Sequence, residues 1–165
     1  MALIDGMLQE LEHEAQTTRR VLERVPNDQL TWRPHAKART LGELALHIAT
    51  VPGAVAALVA TSPVQAPQFA DQSPTKAAEL IPALDASISR AKSILGGMND
   101  ATLLATWRMM NGEQEVIALP RVAMLRSIML NHWYHHRGQL TVYLKELGVP
   151  IPSIYGPSAD ENPFA

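Results

Sequence analysis

Apolar residues recur at three- and four-residue intervals through four long stretches of the chain, the spacing that gathers side chains on one face of a helix. The first stretch carries Ile4, Leu8, Leu11, Ala15, Leu22 and Val25 and stops at Pro26-Asn27. The second opens on Thr40-Leu41-Gly42-Glu43, a capping-box pattern in which Thr40 accepts from the Glu43 amide while Glu43 reaches back. It continues through Leu44, His47, Ile48 and Val51 to Leu58 and Val59, with a kink expected at Pro52. Ser73-Pro74 offers an N-cap and a first-turn proline for the third, whose stripe is Ala77, Ile81, Leu84, Ile88, Ala91 and Leu95 before Gly96-Gly97. Pro82 either kinks this helix or leaves its first turns irregular.

The period changes between Thr106 and Leu119. Asn111-Gly112 is a turn signal flanked by residues that tolerate extended backbone, which predicts a short irregular hairpin. The last helix starts near Pro120 and runs to Gly148, with Pro150 and Pro152 beyond it. Its stripe is Val122, Leu125, Met129, Leu140, Tyr143 and Leu147. The tail from Ile154 to Asn162 is rich in turn formers. These elements predict an all-α fold: a four-helix bundle with long crossovers and a hairpin-like insertion before the last helix, in one domain over residues 1–165.

Composition narrows the classes. Apolar residues make up 47% of the 165 positions and charged residues 18%, so the chain has enough apolar material for one large core. Net charge is −2, and Arg19-Arg20 and Lys37 with Arg39 are the densest basic spots, too sparse for a nucleic-acid stripe. Cysteine is absent, which removes disulfides and thiol nucleophiles and leaves His, Asp and Glu as metal ligands. The start of the chain has no signal-peptide pattern, and the apolar run Val51 to Ala60 is interrupted by Pro52 and Gly53. The expectation is a cytoplasmic protein without membrane or nucleic-acid partners. Its low surface charge leaves room for a homodimer interface.

Chemistry concentrates in His132-Trp133-Tyr134-His135-His136-Arg137-Gly138-Gln139. His132 and His136 fall in the gap of the apolar stripe, one turn apart, so both imidazoles are expected to face the core. Burying two imidazoles needs partners, and a divalent metal suits that spacing. The plain alternative is a pair of hydrogen-bonded or half-exposed histidines. His135 lies about 100° round the helix and is the weaker ligand. His13 projects opposite the apolar stripe of its helix, and His35 lies in a loop, so both read as surface residues. His47 sits at the edge of the apolar face of the second helix. Spacing fits it equally to a third ligand and to a satisfied core histidine.

Leu41-Gly42-Glu43-Leu44-Ala45-Leu46-His47-Ile48-Ala49, Asn131 to Leu140 and Pro152 to Asp160 together resemble the DinB/YfiT-like superfamily, with Leu30-Thr31-Trp32-Arg33-Pro34 extending the match over nearly the whole chain. The motif of the last helix is its most specific part. The resemblance implies a four-helix bundle in up-down-down-up order, often dimeric. It also implies a metal triad of one histidine on the second helix and an H-x-x-x-H pair on the last. Those positions are His47, His132 and His136 here, with His135 outside the pattern. Relatives with known activity include a mycothiol-dependent maleylpyruvate isomerase and a bacillithiol S-transferase, which brings in a low-molecular-weight thiol as a partner.

Three neutral imidazoles leave a divalent ion, zinc or nickel foremost, with open positions for water or a small-molecule substrate. The leading expectation is therefore a metal-dependent hydrolase or thiol-dependent transferase. The alternative is a non-enzymatic stress-response bundle whose metal is structural or sensory. Glu43 reads as a helix cap more readily than as a base, and Gln139 as a neighbour able to hydrogen-bond a ligand. Trp133 reads as packing. Arg137 is expected to anchor the Asp160-Glu161 tail or a partner.

Overall fold

The computed structural model describes residues 2–68 and 70–165. The chain runs α1 (Leu3–Leu22), α2 (Leu41–Ala60), β1 (Val64–Gln65), α3 (Leu80–Leu95), the short α4 (Asp100–Leu104), β2 (Thr106–Asn111), β3 (Gln114–Pro120), α5 (Arg121–Met124), a π-helical segment Leu125–Asn131, and α6 (His132–Glu146). α2 lies at the centre. It packs most extensively on α3 and also against the π-helical segment and α6, while α1 closes the core against α3 and α6. By length and apolarity α2 would suit a membrane span, but 56% of that window is buried inside the protein, as befits a core helix.

The all-α expectation needs correction, because the molecule is mainly helical with a small mixed sheet. β2 and β3 form the antiparallel hairpin expected around Asn111-Gly112, with Gly112 at φ +62°. It is more regular than foreseen, apart from one register shift between Met109 and Met110. β1 then adds parallel to β2, pairing Val64 with Met109, so the strand order is β1-β2-β3. Trp107 is fully buried beneath this sheet and donates to the Thr61 carbonyl at 2.8 Å, which pins β2 to the end of α2.

The third helix also starts later than Ser73-Pro74. Lys76 donates its amide to Glu79, a 3-10 turn covers Ala77–Glu79, and α3 proper begins at Leu80. Pro82 then falls in the first turn, where its missing N–H has no partner to lose, so no interior kink arises from it.

α2 runs on through Pro52 to Ala60. Pro52 has no amide to give the Ile48 carbonyl four residues back, and Ile48 is fully buried. The Trp133 indole supplies that donor instead, Nε1 to the Ile48 carbonyl at 2.8 Å. One turn on, Ser87 of α3 enters the ladder. Its hydroxyl accepts from the Gly53 amide at 2.8 Å and donates to the Thr50 carbonyl at 3.1 Å. Gly53 permits this approach, since a Cβ there would lie 2.7 Å from the Ser87 carbonyl oxygen.

The last helix buries a different face from the one its first turns suggest. A π-helix closes i to i−5 bonds, so it admits extra residues and shifts every later position round the axis. With Leu125–Asn131 wound this way, the core positions beyond it are Trp133, Arg137, Leu140 and Leu144. His132 and His136 are consequently half-buried at the edge of the core rather than inside it.

Arg137 is itself a correction. It does not reach Asp160 or Glu161, which pair with Lys145 and Arg20. Its side chain is 2% exposed and bonds Glu14 at 2.6 Å, with further bonds to Thr18 Oγ1, the Glu14 carbonyl and the Tyr155 hydroxyl. Tyr155 also donates to Glu14 at 2.9 Å, so α1, α6 and the C-terminal tail meet at one satisfied ion pair. Removing one member of such a pair strands a buried charge, at a cost of about 3–5 kcal/mol.

The Trp133–Ile48 bond gives a direct test of this account. Trp133→Phe should destabilise the protein by about 2–4 kcal/mol, through the stranded carbonyl and the lost volume. Pro52→Ala restores an amide to the same carbonyl, so Trp133→Phe should cost about 1 kcal/mol less in that background. Urea unfolding of the four proteins measures the coupling, and strict additivity would refute the proposed role of the indole.

Candidate metal centre

Two helix segments position the three histidines. The Thr40–Glu43 capping box fixes the start of α2, with the Thr40 amide donating to Glu43 Oε2 at 2.7 Å and the Glu43 amide to Thr40 Oγ1 at 3.2 Å. Glu43 is thereby committed to the cap. His47 follows one turn later. His132 and His136 open α6 directly after the π-helical segment.

The rings converge. His47 Nε2 lies 3.1 Å from His132 Nε2, and the ligand atoms of His47, His132 and His136 all lie within 4.8 Å of one another. Ring centroids are 5.3, 4.7 and 4.3 Å apart, and the planes cross at 79° to 89°. Nitrogens bound to one zinc ion at about 2.0–2.1 Å would sit roughly 2.9 Å apart at a right angle and roughly 3.3 Å apart at the tetrahedral angle. The observed 3.1 Å falls between these values. Among the described residues no other His, Asp or Glu joins this group. His135 is exposed, its ring 5.1 Å from that of His136.

Burial keeps these imidazoles neutral. It pushes His47 and His136 down to about 4 and lowers His132 as well, with the positive charge of Arg39 acting in the same direction on each. A metal competes with protons for the ring lone pair, so a depressed pKa leaves the ligands ready at neutral pH. His136 Nδ1 lies 2.6 Å from Gln139 Oε1. Facing a carbonyl oxygen, Nδ1 carries the proton and leaves the lone pair on Nε2. Gln139 thus holds a ligand ring, within the role read from the sequence.

A cavity of about 490 Å³ opens beside the site, lined by Arg39, His47, Thr50, Val51, Ala54, Val55, Leu58, Pro67, Ile128 and His132. It lies between α2 and the last helix, and His136 stands outside its wall. The carbonyl freed by Pro52 does not reach it, being taken by Trp133. Arg39 was not singled out in the sequence as a site residue. Its one signal there is its place directly before the Thr40 cap, at the mouth of the helix that carries His47. His13 and His35 are exposed, as expected, and take no part.

Comparison with known proteins agrees with this architecture. The DinB family model matches residues 2–163. The uncharacterized protein YrdA of Bacillus subtilis is 28% identical over 159 residues, covering 96% of this chain and 91% of that protein. A DinB-like protein from Bacillus cereus superposes with a TM-score of 0.71 at 24% identity, covering 92% of this chain and 97% of the other. The DinB-like YjoA of Bacillus subtilis gives 0.68 at 19% identity, over 90% and 96% of the two chains. A DinB-family protein from Exiguobacterium sibiricum gives 0.64 at 23%, over 93% and 97%. With a family match spanning nearly every residue, the chain belongs to the DinB family.

Proposed function

We propose that this protein is a metal-dependent enzyme in which His47, His132 and His136 hold one divalent cation, zinc or nickel, and that it acts on a small molecule as a hydrolase or thiol-dependent transferase. The observation that carries this reading is the convergence of three half-buried, proton-poor imidazoles beside an apolar cavity whose wall includes His47 and His132, with no fourth protein donor among the described residues. A structural site would be closed by a fourth ligand. Bound there, the cation would act as a Lewis acid and lower the pKa of a coordinated water or thiol.

The chain's own residues supply the rest. Gln139 holds the His136 ring, and the indole bond to Ile48 fixes α2 against α6 one residue from His47 and one from His132. Val51, Ala54, Val55 and Leu58 give the cavity an apolar wall, and Arg39 places a fixed positive charge there. With no cysteine in the chain, any thiol must come from outside. We also read the four long helices as a bundle in up-down-down-up order, working as a cytoplasmic homodimer without nucleic-acid or membrane partners.

Purified protein should carry one equivalent of divalent metal by elemental analysis. His47→Ala, His132→Ala and His136→Ala should each lose it, and His135→Ala should keep it. Equal retention in all four would refute the triad. Adding a small thiol to cobalt-substituted protein should change its d–d spectrum, because open positions accept the sulfur; an unchanged spectrum at saturation would make the metal structural.

Acidification should weaken the metal-free protein. His47 and His136 bind a proton near pH 4 when folded but near 6.5 when unfolded, so the unfolded chain takes up protons first. Their contribution is complete above about pH 6.5, is lost as pH falls towards 4, and is constant below that. Urea midpoints measured across this range should fall more steeply for the native sequence than for His47→Gln/His136→Gln, and parallel curves would contradict the depressed pKa values.

A further inference from the structure

The cavity beside the histidines contains one charged group that metal binding does not use. Arg39 immediately precedes the Thr40 cap, and its carbonyl accepts from the Tyr143 hydroxyl at 3.3 Å, so its backbone is held from α6 as well as α2. Its Nε donates to Asp71 Oδ1 at 2.8 Å, leaving a side chain that is only 29% exposed. Nη1 and Nη2 make no hydrogen bond among the described residues. A planar guanidinium held on one edge and free along the other presents a fork that matches a carboxylate.

The rest of the cavity is apolar. Val51, Ala54, Val55 and Leu58 line it along two turns of α2, about 10 Å in length, with Ile128 and Pro67 opposite. Ile128 is a large apolar side chain left 38% exposed, and the π-helical segment that carries it turns it to this wall. A phosphate dianion would call for several cations or a cluster of amide donors, whereas this lining offers a single arginine.

We infer that Arg39 and this apolar cavity form a subsite for an aliphatic carboxylate, with the carboxylate on the free edge of Arg39 beside His47 and His132 and the alkyl chain along Val51 to Leu58. The inference rests on the small-molecule reading above and gives it a substrate class: a medium-chain aliphatic acid or a derivative that keeps the carboxylate. Arg39 is then a specificity-determining residue, set apart from the metal ligands.

Calorimetric titration of butanoate, octanoate and octanol into the full chain, metal-free and zinc-loaded, tests it. Affinity should rise about fourfold per methylene from butanoate towards octanoate. Octanoate should bind about tenfold or more tighter than octanol in both forms. Arg39→Gln should erase that preference in the metal-free protein while leaving octanol affinity and zinc content unchanged. Ala54→Phe, at an exposed position of the wall, should weaken octanoate more than butanoate. Equal binding of octanoate and octanol, an undiminished preference in Arg39→Gln, or no dependence on chain length would overturn the inference. The two readings fail separately: zinc binding without carboxylate preference removes this one alone, and carboxylate preference in a chain that takes up no zinc removes the metal alone.

Discussion

A carbonyl that proline leaves without a donor sets the geometry of this protein. Ile48 lies in the fully buried face of α2, where an unpaired carbonyl costs about 1–3 kcal/mol, and Pro52 denies it the usual helix donor. The indole of Trp133 meets that demand from the opposing helix. Ile48 follows His47 and Trp133 follows His132, so one hydrogen bond fixes the two helices together a single residue away from two of the clustered histidines. It defines both the rotation and the height of α6 against α2. A helix pair packed only through apolar contacts would have more freedom to slide, since such contacts carry little direction.

A second polar anchor acts from the far side of α6. Arg137 is buried between Glu14, Thr18 and Tyr155, and on a helix its neighbour His136 points some 100° away. Trp133 and Arg137 are one turn apart on the core face, so α6 is held at two successive turns while His132 and His136 occupy the adjoining face. Apolar burial supplies the stability of this packing. The directional bonds of Trp133 and Arg137 choose among the rotations that apolar burial would allow.

Much of this was legible in the sequence because the signals are local. Thr40 with Glu43, the Asn111-Gly112 turn and the three- and four-residue spacings of the helices are signals between near neighbours, and the cap, the hairpin and the four long helices each have their counterpart in the structure. The histidine cluster was legible in part from spacing, and the resemblance to a known family joined His47 to the pair on the last helix. What was missed depends on distant partners. β1 is two residues long and exists only because β2 is there to pair with it. Ser73-Pro74 has the chemistry of a helix start, yet Glu79 captures the amides of Thr75 and Lys76 and the helix begins later. The π-helical segment upset the extrapolation of the last stripe, which put His132 and His136 inside the core. Arg137 did have a signal: Glu14 and Thr18 fall on the buried stripe of α1 between Leu11 and Val21, and a carboxylate on a core face calls for a buried cation.

The π-helical segment connects these corrections to function. A continuous α-helix would carry the stripe of Leu125 and Met129 straight on to His132 and His136, enclosing both rings in the core. The extra residue that each π-helical turn admits before His132 moves Trp133 and Arg137 onto that face and leaves the histidines at its border, where apolar packing still keeps them neutral while a cavity reaches His132. The same segment sets Ile128 on the cavity wall, a position that costs exposed apolar surface in the folded chain. Fold stability alone gives no reason for that exposure or for a half-buried arginine paired along only one edge. Both features make physical sense if a ligand with an apolar body and an anionic group covers them.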